Sequence, residues 1–152
     1  METNGYGLTS KNLDRLKFSG VDAFWLDIKA YDDRVHRRLT GCSNERILRL
    51  PQEIRKRGFV LEVLSLFIPG WVEGDQIEKI ARILVDMDPQ IPYTILAFFP
   101  EYQLKDVPSP SLKQMLGAYE RVKSLGLMNV RLGNIGRFVR TAEEFELVKN
   151  LL

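Results

Sequence analysis

The chain has 152 residues, 45% of them hydrophobic and 28% charged, and a formal net charge of +2. That is enough for one domain with a real core, and the mixed charge excludes the clustered basic face that a nucleic-acid partner needs. One cysteine excludes an internal disulfide and an all-cysteine metal site within the chain.

The opening residues, Met1 to Gly5, carry neither a basic nor an apolar targeting region. The longest apolar stretch, 63–72, is broken by Ser65, Pro69 and Gly70 and is too short to cross a bilayer. The expectation is a cytoplasmic chain with no membrane partner, with which a lone cysteine is consistent.

In chain order, Thr9 caps a predicted helix over 10–18 that Gly20 ends. Residues 23–28, AFWLDI, read as a strand. Ser43 or Asn44 can cap a helix over 45–57, which Pro51 should kink or split. A second strand spans 60–68, a helix 73–87 and a third strand 93–99. The segment PEYQLKDVPSP, 100–110, is a long irregular loop of the kind that is often functional. A helix over 111–125, a weaker strand at 129–132 and a last helix opened by Thr141 with Glu144 as a capping box complete the pattern. The near-continuous apolar strands predict a parallel sheet covered on both faces. The order predicts an α/β fold, doubly wound or part of a barrel, with 1–152 as one domain and right-handed crossovers.

In such folds ligands bind at the C-terminal ends of the strands. Side chains alternate along a strand, so Trp25, Asp27 and Lys29 share one face while Leu26 and Ile28 pack on helices. Lys29 can meet a carboxylate and Asp27 an amine or metal ion, or the two can form a structural ion pair. Backbone after Ile68-Pro69-Gly70 and Phe98-Phe99-Pro100 is free for a ligand or simply makes the turn. The lone His36, in YDDRVHRRLTG, reads as a surface or capping residue, and Cys42 as structural. GNIG, 133–136, lacks the spacing of a dinucleotide fingerprint.

Asp27-x-Lys29, His36, Thr40-Gly41 and Asn44 with Ile47-Leu48 together resemble the radical S-adenosylmethionine (SAM) activating enzymes of glycyl-radical systems, the pyruvate formate-lyase activating enzyme group. Further matches follow in order: Glu2 to Tyr6, Ile68-Pro69-Gly70, Phe99-Pro100-x-Tyr102, Gly126-Leu127 and Gly133-Asn134-Ile135. The resemblance implies the C-terminal half of a TIM-like partial barrel that opens near the end of the family's third strand. It implies SAM contacts from Asp27, Lys29, Thr3, Ile68, Gly70 and Phe99, and substrate contacts from His36, Thr40 and Tyr102. In a complete enzyme these would assist reductive cleavage of SAM to a 5′-deoxyadenosyl radical, which abstracts hydrogen from a substrate such as a protein glycine.

Two departures stand out. The family's Cys-x3-Cys-x2-Cys set for a [4Fe–4S] cluster is absent, so a cluster is expected only if a missing N-terminal half supplies it. Leu64 stands where relatives often carry a cofactor-contacting Arg. No catalytic or metal-binding residue is assigned, and no activity is expected of the chain alone. The expected partners are the missing half or a second copy, joined along a bare edge of strand 23–28, and a substrate protein. The competing readings are a non-catalytic half-barrel that binds a partner chain, and an aldolase-like enzyme using Lys29 as a Schiff-base nucleophile.

Overall fold

The computed structural model describes residues 1–152. Five strands form one parallel sheet: β1 (Glu2–Thr3), β2 (Ala23–Asp27), β3 (Val60–Phe67), β4 (Tyr93–Ala97) and β5 (Val130–Gly133). Their spatial order is their chain order. A doubly wound sheet reverses direction part way across; this one never does, which is barrel-type winding. Crossovers that share one hand and advance in one direction place all helices on one face.

Those helices are α1 (Ser10–Phe18), α2 (Asp33–Thr40), α3 (Leu50–Lys56), α4 (Gly74–Met87), α5 (Leu112–Ser124) and α6 (Ala142–Val148). Burial along the strands follows. In β3, Leu61, Val63, Ser65 and Phe67 are buried under helices, while Glu62, Leu64 and Leu66 are half-buried and Val60 is exposed. In β2, Phe24 and Leu26 are buried, but Trp25 is 51% exposed. The expected cover on both faces is therefore corrected. One face is open, and the sequence hid this because Trp25, Leu64, Leu66 and Leu96 on that face are as apolar as the core.

The expected bare edge is corrected too. β1 pairs with β2 through Glu2↔Trp25 and Thr3↔Leu26, and Trp25 N donates to the Met1 carbonyl at 2.9 Å. Two paired residues gave no periodic signal. The free edges of the sheet are the outer sides of β1 and β5.

The expected caps at Thr9 and Thr141 form, and Ser111, expected as the first helical residue, is the N-cap of α5; Ser111 with Gln114 and Thr141 with Glu144 are complete capping boxes. Pro51 splits its segment as expected, into a 3-10 turn (Ile47–Arg49) and α3, where it sits in the first turn. Neither Ser43 nor Asn44 caps it. The Asn44 amide instead donates to the Ala30 and Tyr31 carbonyls, at 3.1 and 2.6 Å. After β1 the chain turns at Gly5, with φ +77°, where a Cβ would collide with Leu50. Only glycine meets both demands. This turn brings Asn4, Tyr6 and Gly7 against the α2–α3 loop.

Candidate functional site

β2 stops at Asp27, and alternation turns Asp27 and Lys29 to the open face while Leu26 and Ile28 are fully buried. Lys29 Nζ lies 2.5 Å from Asp27 Oδ2, with the side chains 35% and 17% exposed. Asp27 Oδ1 is buried and has no hydrogen-bond partner. Asp27 is in register with Leu64, so the neighbouring strand offers the carboxylate no donor. Lower on the same face, Glu62 accepts from Trp25 Nε1 at 3.0 Å and from Thr94 Oγ1 at 2.9 Å. Neither contact was visible from spacing, because register across strands decides it.

The other strand-top residues behave differently. The register Thr3↔Leu26 turns the Thr3 side chain toward the Leu26 side, and its Oγ1 accepts from Gly5 N at 3.1 Å. It is therefore Thr3 backbone that runs beside β2. Ile68 N donates to Val72 O and Ile68 O accepts from Val72 N, both at 2.8 Å. Gly70 N donates to Glu73 Oε1 at 3.0 Å. The main-chain groups of Ile68 and the Gly70 N–H thus make the turn and are not free for a ligand. Phe98 N donates to Phe67 O at 3.1 Å, and the Arg137 guanidinium lies 4.3 Å from the centre of the Phe99 ring.

Tyr102 is 81% exposed and holds φ 49°, a left-handed conformation that an aromatic residue rarely adopts. With Glu101, Trp71, Arg38 and Leu39 it lines an open groove of about 570 Å³. Arg38 stacks over the Trp71 ring at 4.1 Å. The buried amide of Gln76 fixes this corner: it accepts from Asp32 N at 3.0 Å and donates to Trp71 O at 2.6 Å.

His36 is neither a surface nor a capping residue. It lies on α2, a helix beyond those expected from the sequence, and is only 4% exposed. Its Nδ1 is 2.8 Å from the Cys42 carbonyl oxygen and 3.1 Å from Thr40 Oγ1. His36 and Thr40 line one cavity of about 350 Å³ with Asn4, Tyr6, Cys42 and Ser43. Cys42 is half-buried there. Asp33 holds the loop behind it, accepting from Arg37 Nε, Ser43 Oγ and Asn44 N at 2.7, 2.7 and 3.0 Å. Led by the Arg37 bond, these contacts lower the Asp33 pKa to about 2. Asp27 with Lys29, and His36 with Thr40, are therefore brought together; Tyr102 stands in the separate groove.

The donor set does not fit an iron–sulfur cluster, which needs several thiolates, because the chain has one cysteine. No group of three His, Cys, Asp or Glu side chains is placed to hold a metal ion. The Asp27–Lys29 corner does fit an amino-acid zwitterion, with a buried carboxylate oxygen in need of a donor beside an ammonium group.

A parallel sheet wound in one direction, helices on one side and charged groups at the strand tops of the open side, defines a partial barrel. The radical SAM superfamily model matches residues 1–84, and the chain belongs to that superfamily. A Methanocaldococcus jannaschii protein provisionally described as a glycyl-radical enzyme activating enzyme is 36% identical over 124 residues, covering 79% of this chain and 46% of that protein. The pyruvate formate-lyase 1-activating enzyme of Escherichia coli K12 is 26% identical over 137 residues, covering 82% of this chain and 54% of that enzyme. The chain spans about half the length of these curated relatives. The crystal structure of a domain of pyruvate-formate lyase-activating enzyme from Bacteroides vulgatus superposes with a TM-score of 0.71 at 19% identity, covering 88% of this chain and 79% of that one. It shares the fold. No helix is long and apolar enough to cross a membrane.

Proposed function

We propose that this chain supplies the C-terminal half of a radical SAM barrel similar to the glycyl-radical enzyme activases, contributing contacts to SAM and to a substrate polypeptide in the cytoplasm. The observation that carries the reading is Asp27 Oδ1, buried and unpartnered at a strand top beside Lys29, in a chain of this superfamily.

SAM has an amine, a carboxylate, a sulfonium and an adenine. Asp27 would accept from the amine or hold a cation against it, Lys29 would meet the carboxylate, and the backbone at Thr3 would border this end. Ile68, Gly70 and Phe99 would border the adenine by shape, since the turn has consumed the backbone groups of Ile68 and the Gly70 N–H. His36, Thr40 and Tyr102 would meet the substrate. When bound, SAM supplies the carbon–sulfur bond that this superfamily cleaves reductively. A [4Fe–4S] cluster would have to come from another segment or chain, so the 152 residues alone are expected to be inactive.

The test is equilibrium binding of SAM to the full chain. Asp27→Asn and Lys29→Met should each weaken it about ten-fold, the scale of one charge-assisted hydrogen bond. Absence of saturable binding, or binding that neither variant changes, overturns the reading.

A second reading, a non-catalytic half-barrel that binds a partner chain, is favoured by the 51% exposure of Trp25 on the open face. The Schiff-base reading has less support. Lys29 donates to a carboxylate and is a third exposed, the reverse of the apolar or cation-flanked setting that activates a lysine.

A further inference from the structure

We propose that the cavity between the β1–α1 turn and α2 is a binding subsite for an uncharged hydrogen-bond donor, a carboxamide or peptide N–H, with His36 Nε2 as its acceptor. This deepens the assignment of His36 and Thr40 to substrate contact and rests on it for biological meaning, but its test needs neither SAM nor turnover.

The chemistry begins at Nδ1. The Cys42 carbonyl, 2.8 Å away, can only accept, so in the neutral imidazole Nδ1 is the protonated nitrogen. Nε2 then presents a lone pair. No protein group bonds to it: the fold engages the His36 ring through Nδ1 alone. A residue only 4% exposed, with one ring nitrogen fixed by the fold and the other given no protein partner, lines a cavity of about 350 Å³ and offers it an acceptor for which a ligand competes only with water.

The surroundings define what would fill it. Asn4, Tyr6, Thr40, Cys42 and Ser43 are polar and uncharged, and no Lys, Arg, Asp or Glu lines the cavity. An ion entering would leave bulk water with no counter-charge, so a charged ligand is disfavoured. Asn4 Oδ1 already accepts from Tyr6 N at 3.1 Å, which leaves the Asn4 amide NH2 to donate to a ligand carbonyl. An acceptor at Nε2 and a donor at Asn4 Nδ2 match the two ends of an amide. The volume lies at the small end of ligand pockets, which suits an amino-acid side chain or one peptide unit. The walls are held: Arg46 donates to the Gly5 and Tyr6 carbonyls on one side, and Asp33 clamps Ser43 and Asn44 on the other.

The chain's one histidine and one cysteine both line this cavity, so each is a site-specific reporter. The full chain is titrated with N-acetylglycinamide, an uncharged amide of suitable size, with sodium acetate and methylammonium chloride as charged controls. The expected result is a saturable shift of the His36 Nε2 resonance in 15N spectra, no shift at Nδ1, and slower alkylation of Cys42, with neither control doing the same. His36→Asn keeps a donor near the Nδ1 position and removes Nε2; it should weaken the probe about five-fold, the worth of one hydrogen bond. His36→Gln, which reaches the Nε2 position, should retain more of the binding. An unmoved Nε2 resonance in the wild-type chain, or equal shifts from acetate, overturns the proposal whether or not the variants fold. Either outcome leaves SAM binding at Asp27 untouched, so failure here is separable from failure of the activase reading.

Discussion

Lys29 Nζ lies 2.5 Å from Asp27 Oδ2, yet the other oxygen of the same carboxylate is buried and unbonded. The pair is half satisfied, and its two members are unequally exposed. Removing the lysine leaves a carboxylate with little water; removing the carboxylate leaves an ammonium that can turn to solvent. Lys29→Met should therefore cost about 1 kcal/mol of stability, the scale of a part-exposed pair. Asp27→Asn should cost less. Denaturant titrations of both variants decide the order. If Asp27→Asn is the costlier change, Asp27 is already well solvated and is not waiting for a ligand.

Tyr93 presents the same kind of imbalance inside the fold. Its ring is fully buried under the helices and its hydroxyl has no partner, since the neighbouring Ser65 hydroxyl donates to the Ile28 carbonyl at 3.0 Å. Burial pushes the phenol's pKa well up, with the Ser65 hydroxyl partly offsetting it. A buried unbonded hydroxyl costs stability, so Tyr93→Phe should be neutral or gain about 1 kcal/mol. A clear loss in urea unfolding would show that a water bonds this hydroxyl.

Asp33 makes the acid limb of stability testable. Its folded pKa is about 2 against an ordinary 3.8. A depressed carboxylate pKa adds stability that is fully present above the unfolded value and is lost as pH falls through the folded one. The Asp33 contribution should disappear between about pH 4 and pH 2. Asp33→Asn should be less stable than wild type at pH 7, with the difference closing by pH 2; a constant gap across that range would contradict the assignment. Because the Asp33 side chain is 46% exposed, the effect should also shrink in high salt.

The sequence made the strand-top site legible because alternation along one strand is local. Asp27 and Lys29 share a face, and Leu26 and Ile28 are buried on the other, as period two requires. Helix caps at Thr9 and Thr141 were equally readable. What escaped depends on pairing between distant segments. β1 is two residues long, and the Trp25–Glu62–Thr94 belt exists only once three strands are in register. α2 escaped for a different reason. Its eight residues bury only His36, so its apolar periodicity is thin, although Asp32 as N-cap and Gly41 at φ 77° were signals available in the sequence.

The open face has a physical consequence that reaches beyond the site. Parallel sheets occur almost only with both faces covered, yet here Trp25 and Val60 are 51% and 62% exposed on the uncovered side. Leu64, Leu66 and Leu96 extend the patch toward the strand tops. Apolar area of this kind marks an interface. The outer edge of β1 adds a second opportunity. Met1 faces β2, since its carbonyl accepts from Trp25 N, so by alternation the Glu2 N–H and C=O point away from the sheet. The isolated chain should therefore self-associate, and light scattering across a dilution series should show it. Trp25→Lys should shift the association to higher concentration if the face is the contact. Glu2→Pro, which removes one outward donor and leaves the bonds of Met1 to β2 in place, should do so if the edge is the contact. A monomer at every concentration, unchanged by either substitution, would mean that neither the face nor the β1 edge seeks a partner in the isolated chain.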